Sequence, residues 1–289
     1  MIVDAHLHLW NELKGKKGTL DVYSLGAGKC YFGDEVTLMM PPYMLDGRNT
    51  VEMLIANMDY ARVNACVVTQ EYIDGNQDEY LLEAKKKYPN RLVICSLYEE
   101  NDDYKLEGFD GIKICSARLS MPLIDTLPVF KAAEKLGKFV SIDLADGETD
   151  VEAMQEIIKA CPDLRIAIGH FGMVTREGWE EQISLAKNKN VYIESGGITW
   201  LFHDEYYPYP SAVEAILKAK EICGIDKIMW GSDYPRTMTA ITYLQSLDFV
   251  QKSTRLSIED KKKFLGENAC KFYNIEKQET LPYIKNMVE

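Results

Sequence analysis

Two rhythms of apolar residues alternate along the chain. Short runs of strand length are separated by longer segments in which apolar positions recur every three to four residues. Eight runs read as strands: 2–10, 65–71, 92–99, 111–117, 139–146, 164–172, 191–197 and 228–235. Helical segments follow or separate most of them. Thr149 to Glu152 and Ser211 to Glu214 have the form of capping boxes, and Gly224 suits the end of the helix begun at Ser211. Ser257 opens a last helix running toward Tyr273. Strands alternating with helices predict a parallel sheet, and eight such units predict an α/β fold closed as a (β/α)8 TIM barrel, a single domain over residues 1–289. An open doubly wound sheet is the alternative, but no GxGxxG follows the first strand.

Two regions interrupt the alternation. Residues 11–49 form a long insert with Gly-Lys clusters and Pro41-Pro42, and residues 198–210 form an aromatic, proline-bearing loop. A barrel places both at its C-terminal mouth, where long loops act as lids or binding loops.

The first strand, IVDAHLHLW, sets Asp4, His6 and His8 at alternate positions between Val3, Ala5, Leu7 and Leu9. A period of two puts each set on one face of a strand. His6 and His8 then aim at one spot, as a metal site or catalytic cluster requires; two separately hydrogen-bonded imidazoles are the plainer alternative. Lys113, Asp143, His170, Glu194 and Asp233 also fall at or near the C-terminal ends of their strands. Ionisable groups are costly to bury there without partners, and a barrel gathers those ends together. Asp143 and Glu194 read equally as structural carboxylates bonded to backbone or to Lys113. Lys113, Arg118 and Arg236 are the cations nearest the expected mouth, and they suit an anionic substrate or local salt bridges. His203, in the aromatic loop, reads as a substrate contact or a surface residue.

Composition narrows the partners. The 289 residues carry a net charge of −12, with no basic stripe, which argues against nucleic acid and anionic membrane. Seven cysteines without a CxxC pair suggest no disulfide framework; Cys66, Cys95 and Cys115 lie in apolar runs. The chain opens on its first strand and has no apolar run of membrane-span length. The expectation is a cytoplasmic protein handling a small molecule, as a monomer or a homo-oligomer.

DAHLHLW, IGHFG and GSDYP, in that order, resemble the amidohydrolase superfamily in its amidohydrolase-related (amidohydrolase 2) branch. VVTQE, PNRLVICSLYE, GIKIC, PDLRIAIGHFG, VYIESGG and KIMWGSDYP resemble most its sugar-lactonase-like, fuconolactonase-type subgroup, and ENACKFY resembles the family's closing helix. The resemblance implies that His6 and His8 are first-strand metal ligands. It makes Asp233 the eighth-strand ligand and general base, and His170 the residue that polarises or positions the substrate. Many metal-dependent members carry a ligand histidine on the fifth strand. Here that strand reads SIDLADG, with Asp143 near that place; His6, His8 and Asp233 suffice for a catalytic zinc, and Asp143 and Glu194 are candidates for an additional oxygen ligand. The implied cofactor is a divalent metal, zinc first, because such an ion acts as a Lewis acid and lowers the pKa of bound water. Some lactone hydrolases of the superfamily work without metal, which leaves that route open. Hydrolysis of a lactone or related cyclic ester of a small anionic acid, by a metal- or Asp-activated water, is the expected reaction. Lys113, Arg118, His203 and Arg236 would contact the substrate. The alternatives are metal-dependent non-oxidative decarboxylation and a non-catalytic barrel that binds a small ligand.

Overall fold

A computed structural model of the chain describes residues 1–100, 106–277 and 279–287. Eight strands lie side by side in parallel: β1 (Val3–Leu7), then β6 (Ala65–Val68), β7 (Leu92–Leu97), β8 (Gly111–Cys115), β9 (Phe139–Asp143), β10 (Arg165–Ile168), β11 (Val191–Glu194) and β12 (Ile228–Met229). Between β1 and β6, the strands β2 (Lys14–Lys17), β3 (Leu20–Gly26), β4 (Lys29–Phe32) and β5 (Glu35–Leu38) form a separate antiparallel sheet. The ring closes between its first and last members. Ala5 N–H donates to Trp230 O (2.8 Å), Asp233 N–H to His6 O (2.9 Å) and His8 N–H to Tyr234 O (2.9 Å). The fold is the expected (β/α)8 barrel.

Helices pack outside it: α1 (Val51–Ala61), α2 (Asp78–Lys87), α3 (Leu127–Lys135), α4 (Val151–Ala160), α5 (Trp179–Ser184), α6 (Ile198–Leu201), α7 (Pro210–Cys223), α8 (Gln245–Lys252), α9 (Ile258–Lys262) and α10 (Asn268–Tyr273). The main core lies between strands and helices. A second cluster forms the floor of the barrel, where Val3, Val67, Phe139, Ala167, Tyr192 and Met229 meet Phe272 and Tyr273 of α10. Above that floor, alternate inward positions turn polar: Lys113, Ser141, Asp143 and Glu194.

The first strand departs from simple alternation. Its register with β6 shifts between Asp4 and Leu7. Val3 and Ala5 therefore pack in the barrel floor, while Leu7 and Leu9 join the helix-side core. A β-bulge changes which face later residues occupy. Asp4, expected beside His6 and His8, instead faces the closing seam. It accepts the Ser232 N–H (2.8 Å), the Ser232 hydroxyl (2.5 Å) and the Tyr243 hydroxyl (2.8 Å).

Other departures have local causes. The insert holds its own sheet, over a core of Trp10, Leu13, Val22, Cys30 and Met40. Its strands are mostly exposed on both faces, so they carry little periodic signal. Neither expected capping box forms. The Thr149 hydroxyl donates to Asp146 O (3.1 Å) instead, and the Ser211 hydroxyl turns to Glu205. Helix α7 starts at Pro210, which suits a first helical position. A complete capping box does occur at Ser257 and Asp260.

That box anchors the segment that pins the last strand, because Phe264 O receives the Trp230 N–H (2.8 Å) and Asn268 bonds Ile225 O and Ile228 O (both 2.7 Å). Ser257→Ala is expected to cost about 1 kcal/mol in urea unfolding. Burial alone would raise the Asp260 carboxyl, but Lys220 and Ser257 outweigh it and hold it below its ordinary value. A depressed carboxyl adds stability that is present at neutral pH and lost as pH falls through its folded value. The penalty of Ser257→Ala should therefore shrink in acid, and a constant penalty down to that range would contradict the assignment.

Candidate active site

The strand ends deliver seven ionisable side chains to the mouth of the barrel. His6 comes from β1, and His8 lies one residue past its end. Lys113 comes from β8, Asp143 from β9 and Glu194 from β11. His170 and Asp233 follow β10 and β12, and both hold left-handed backbone, with φ of +51° and +57°. For residues other than glycine this costs about 1–3 kcal/mol each, and such strain gathers at functional sites. It also explains why the ladders stop before these residues, short of the expected ends.

His6 Nδ1 lies 2.6 Å from Glu194 Oε1, and the other Glu194 oxygen accepts the Gly196 N–H (2.6 Å). Both Glu194 oxygens are thus engaged in orienting His6 and its turn. His8 Nδ1 faces Asp74 Oδ2 at 2.9 Å, and Asp74 is clamped in turn by Arg236. With their Nδ1 atoms directed outward, the two Nε2 atoms face each other at 3.1 Å. Asp233 Oδ1 completes the set, 3.1 Å from His8 Nε2 and 3.9 Å from His6 Nε2. It is buried and accepts no hydrogen bond. Asp233 Oδ2 is held by the Trp200 indole N–H at 2.6 Å. Gly231 permits the close approach of the last strand. A Cβ there would stand 2.8 Å from His6 Cβ and 3.0 Å from Glu194 Oε2.

A second arrangement adjoins the first. The buried Lys113 ammonium lies 2.5 Å from Asp143 Oδ1. Asp143 Oδ2 faces His170 Nε2 at 3.5 Å, and His170 Nδ1 bonds Gly196 O at 2.9 Å. The His170 and His6 rings stand 4.6 Å apart, centroid to centroid.

The charges follow from these neighbours. Burial lowers the pKa of His6, and the Lys113 charge adds to this against the pull of Glu194, so His6 stays neutral. Burial and Arg236 also oppose charge on His8, but Asp74 and Asp233 outweigh them and raise its pKa. Burial would raise the Asp233 carboxyl; the facing His8 imidazole and the Arg236 charge hold it well below the usual carboxylate range. Burial works against charge on His170 as well, yet Asp143 pushes it up to about 10. Asp143 itself stays ionised, because Lys113 and His170 overcome its burial.

His6, His8, Asp143, His170, Glu194 and Asp233 therefore converge, with Lys113 among them. Arg236 reaches the same centre, but its guanidinium is spent on Asp74 and lies 3.6 Å from Asp233. Arg118 stands on the rim, bonded to Glu71 at 3.3 Å. His203 does not join the site: its exposed ring bonds Trp200 O and faces Asp204. Two participants escaped sequence reasoning. Asp74 lies in a turn after β6 with no periodic context, and Trp200 was one aromatic among several in its loop.

Among the described residues, two groups of side chains could hold a cation: His6, His8 and Asp233, and His6, Asp143 and His170. The first fits a divalent ion better. Its donors are two imidazole nitrogens and one carboxylate oxygen without a hydrogen bond, a set that leaves a coordination position open. In the second, Lys113 already neutralises Asp143.

The protein-family profile described as amidohydrolase matches residues 3–275. No curated protein sequence matches the chain. Three solved structures show the shared fold. A probable 2-pyrone-4,6-dicarboxylic acid hydrolase from Acinetobacter baumannii, with citric acid bound, is 19% identical; the match has a TM-score of 0.69 and covers 94% of this chain and 99% of that one. An amidohydrolase from Burkholderia multivorans with bound zinc is 14% identical, with a TM-score of 0.68 and coverage of 96% and 100%. The 5-carboxyvanillate decarboxylase from Novosphingobium aromaticivorans, with bound manganese, is 18% identical, with a TM-score of 0.55 and coverage of 76% and 80%.

Carboxylates that orient a ligand histidine typically set metal affinity by about 10–100-fold. Glu194→Gln is expected to weaken Zn²⁺ binding by about that factor in equilibrium dialysis. Wild-type affinity in the variant would show that Glu194 does not act through His6.

Proposed function

The chain belongs to the amidohydrolase family, and from that premise we propose that it hydrolyses a lactone or related cyclic ester of a small acid. The observation that carries this reading is the pairing of two opposite groups across one space. Asp233 is an ionised carboxylate with one free oxygen, and His170 is an imidazole held in its charged form by Asp143. A base and an acid with separated pKa values are what acyl transfer through water requires.

His6, His8 and Asp233 would hold a divalent metal, zinc first, and when bound it supplies Lewis-acid polarisation to the reaction. The protein's own groups supply the rest. Asp233 accepts a proton from water as the water oxygen bonds to the carbonyl carbon. The developing oxyanion is stabilised by the positive His170, whose ring is fixed by Gly196 O and Asp143. When the ring C–O bond breaks, the proton on Asp233 passes to the leaving oxygen, and a hydroxy acid results. Lys113 keeps Asp143 ionised and so keeps His170 charged.

Of the cations expected to meet an anionic substrate, Lys113 and Arg236 already have carboxylate partners. Arg118 is also bonded to a carboxylate, Glu71, but it stands half-exposed on the rim and is the one of the three open to a substrate carboxylate. Decarboxylation of an aromatic acid is less well served, because β9 offers the Lys113-paired Asp143 in place of a histidine. All seven cysteines are free, which suits a reducing, cytoplasmic setting. Among the described residues no helix is long and apolar enough to cross a membrane.

Acid release from a panel of sugar lactones tests the proposal. Wild-type protein should hydrolyse at least one of them, and Asp233→Asn should lower kcat by about 10²-fold or more with a small change in KM. His170→Asn should lower kcat and raise KM together, because it removes both the charge and a substrate contact. Near wild-type turnover by Asp233→Asn would show that the carboxylate is structural and that this mechanism is wrong.

A further inference from the structure

The exit of β11 supplies the site twice. Glu194 ends the strand and orients His6, and six residues later Trp200, in the short helix α6, reaches Asp233. The indole N–H donates to Asp233 Oδ2 at 2.6 Å, in a part-buried setting beside His170, whose ring lies 6.3 Å away. A carboxylate can turn about its last bond and exchange its two oxygens. Here one oxygen is tied down, and the other, Oδ1, is left bare and turned toward His6 Nε2 and His8 Nε2. The turn before α6 is shaped around this contact. Gly197 holds φ of +70°, and a Cβ on it would lie 1.8 Å from Trp200 Nε1. Only a residue without a side chain leaves the indole where it is.

We propose that Trp200 is a positioning residue for the metal centre: its indole N–H locks Asp233 so that Oδ1 is presented as the third ligand beside His6 and His8. The proposal rests on the metal-binding part of the function above, not on the identity of the substrate. It also gives the aromatic loop a specific task, since a displacement of α6 would release the Asp233 carboxylate and weaken the ligand set. The other tryptophans are committed elsewhere. Trp10 bonds Gly47 O, Trp230 bonds Ser246 O, and Trp179 stacks on Phe171.

Zn²⁺ titration of metal-free protein tests this without any substrate. Tryptophan emission and competition with a chromophoric chelator are followed together, and circular dichroism checks folding. Wild-type protein should bind Zn²⁺ saturably, with a change in emission from the indole beside Asp233. Trp200→Phe should lose that change and bind about tenfold more weakly or worse. Gly197→Ala keeps every tryptophan but displaces the indole, and it should show the same loss of affinity; it also carries the test if Trp200→Phe does not fold. Unchanged or tighter binding by a folded variant would overturn the proposal, and so would absence of saturable Zn²⁺ binding by wild-type protein. In the last case lactone hydrolysis by the same metal-free preparation would leave the hydrolase proposal standing, so the two fail separately.

Discussion

Three acceptor atoms held face to face make a demand that the rest of the site exists to meet. His6 Nε2, His8 Nε2 and Asp233 Oδ1 lie within 3.9 Å of one another, and none is exposed to water that could relieve the repulsion of their lone pairs. Some positive charge must stand among them. In the absence of a metal, a proton on His8 meets the demand, consistent with the raised pKa that Asp74 and Asp233 impose against burial. A divalent cation meets it more fully and must displace that proton. The arrangement persists because each imidazole is held from behind by a carboxylate, Glu194 or Asp74, and Asp233 is held by Trp200.

The barrel makes this geometry affordable by dividing its interior. Phe272 and Tyr273 close an apolar floor, and the polar residues occupy the layer above it. The irregularity in β1 carries the chain from one use of its face to the other. It lets Val3 and Ala5 fill the floor, and it returns His6 and His8 to the interior at the mouth. Asp4, displaced to the seam, helps close the ring through Ser232 and Tyr243. The small sheet also contributes. Lys14 and Lys16 of β2 donate backbone hydrogen bonds to Asp74 O and Tyr72 O, which braces the turn that carries Asp74.

Much of this was legible before the structure. The eight strands appear as apolar runs, and the polar residues at their C-terminal ends stand out because burial there needs a reason. The face occupied by Asp4 was not legible, since a bulge leaves the alternating pattern unchanged while altering what it means. Both misplaced capping boxes had suitable residues at suitable spacing, but the Thr149 and Ser211 hydroxyls turned back to partners just upstream, Asp146 O and Glu205. Asp74 sits in a turn and Trp200 in a one-turn helix, too short for periodicity to mark a side chain as inward, and their roles come from contacts distant in sequence. The mouth cations were visible as residues, but not as residues already matched to Asp143 and Asp74.

Anomalous diffraction at the zinc edge, from crystals of the metal-free protein soaked in Zn²⁺, tests the central claim most directly. The account predicts one strong peak within bonding distance of His6 Nε2, His8 Nε2 and Asp233 Oδ1, with Glu194, Asp74 and Trp200 still behind those ligands. A crystal that takes up no zinc there, or takes it up only at His170 and Asp143, would contradict it.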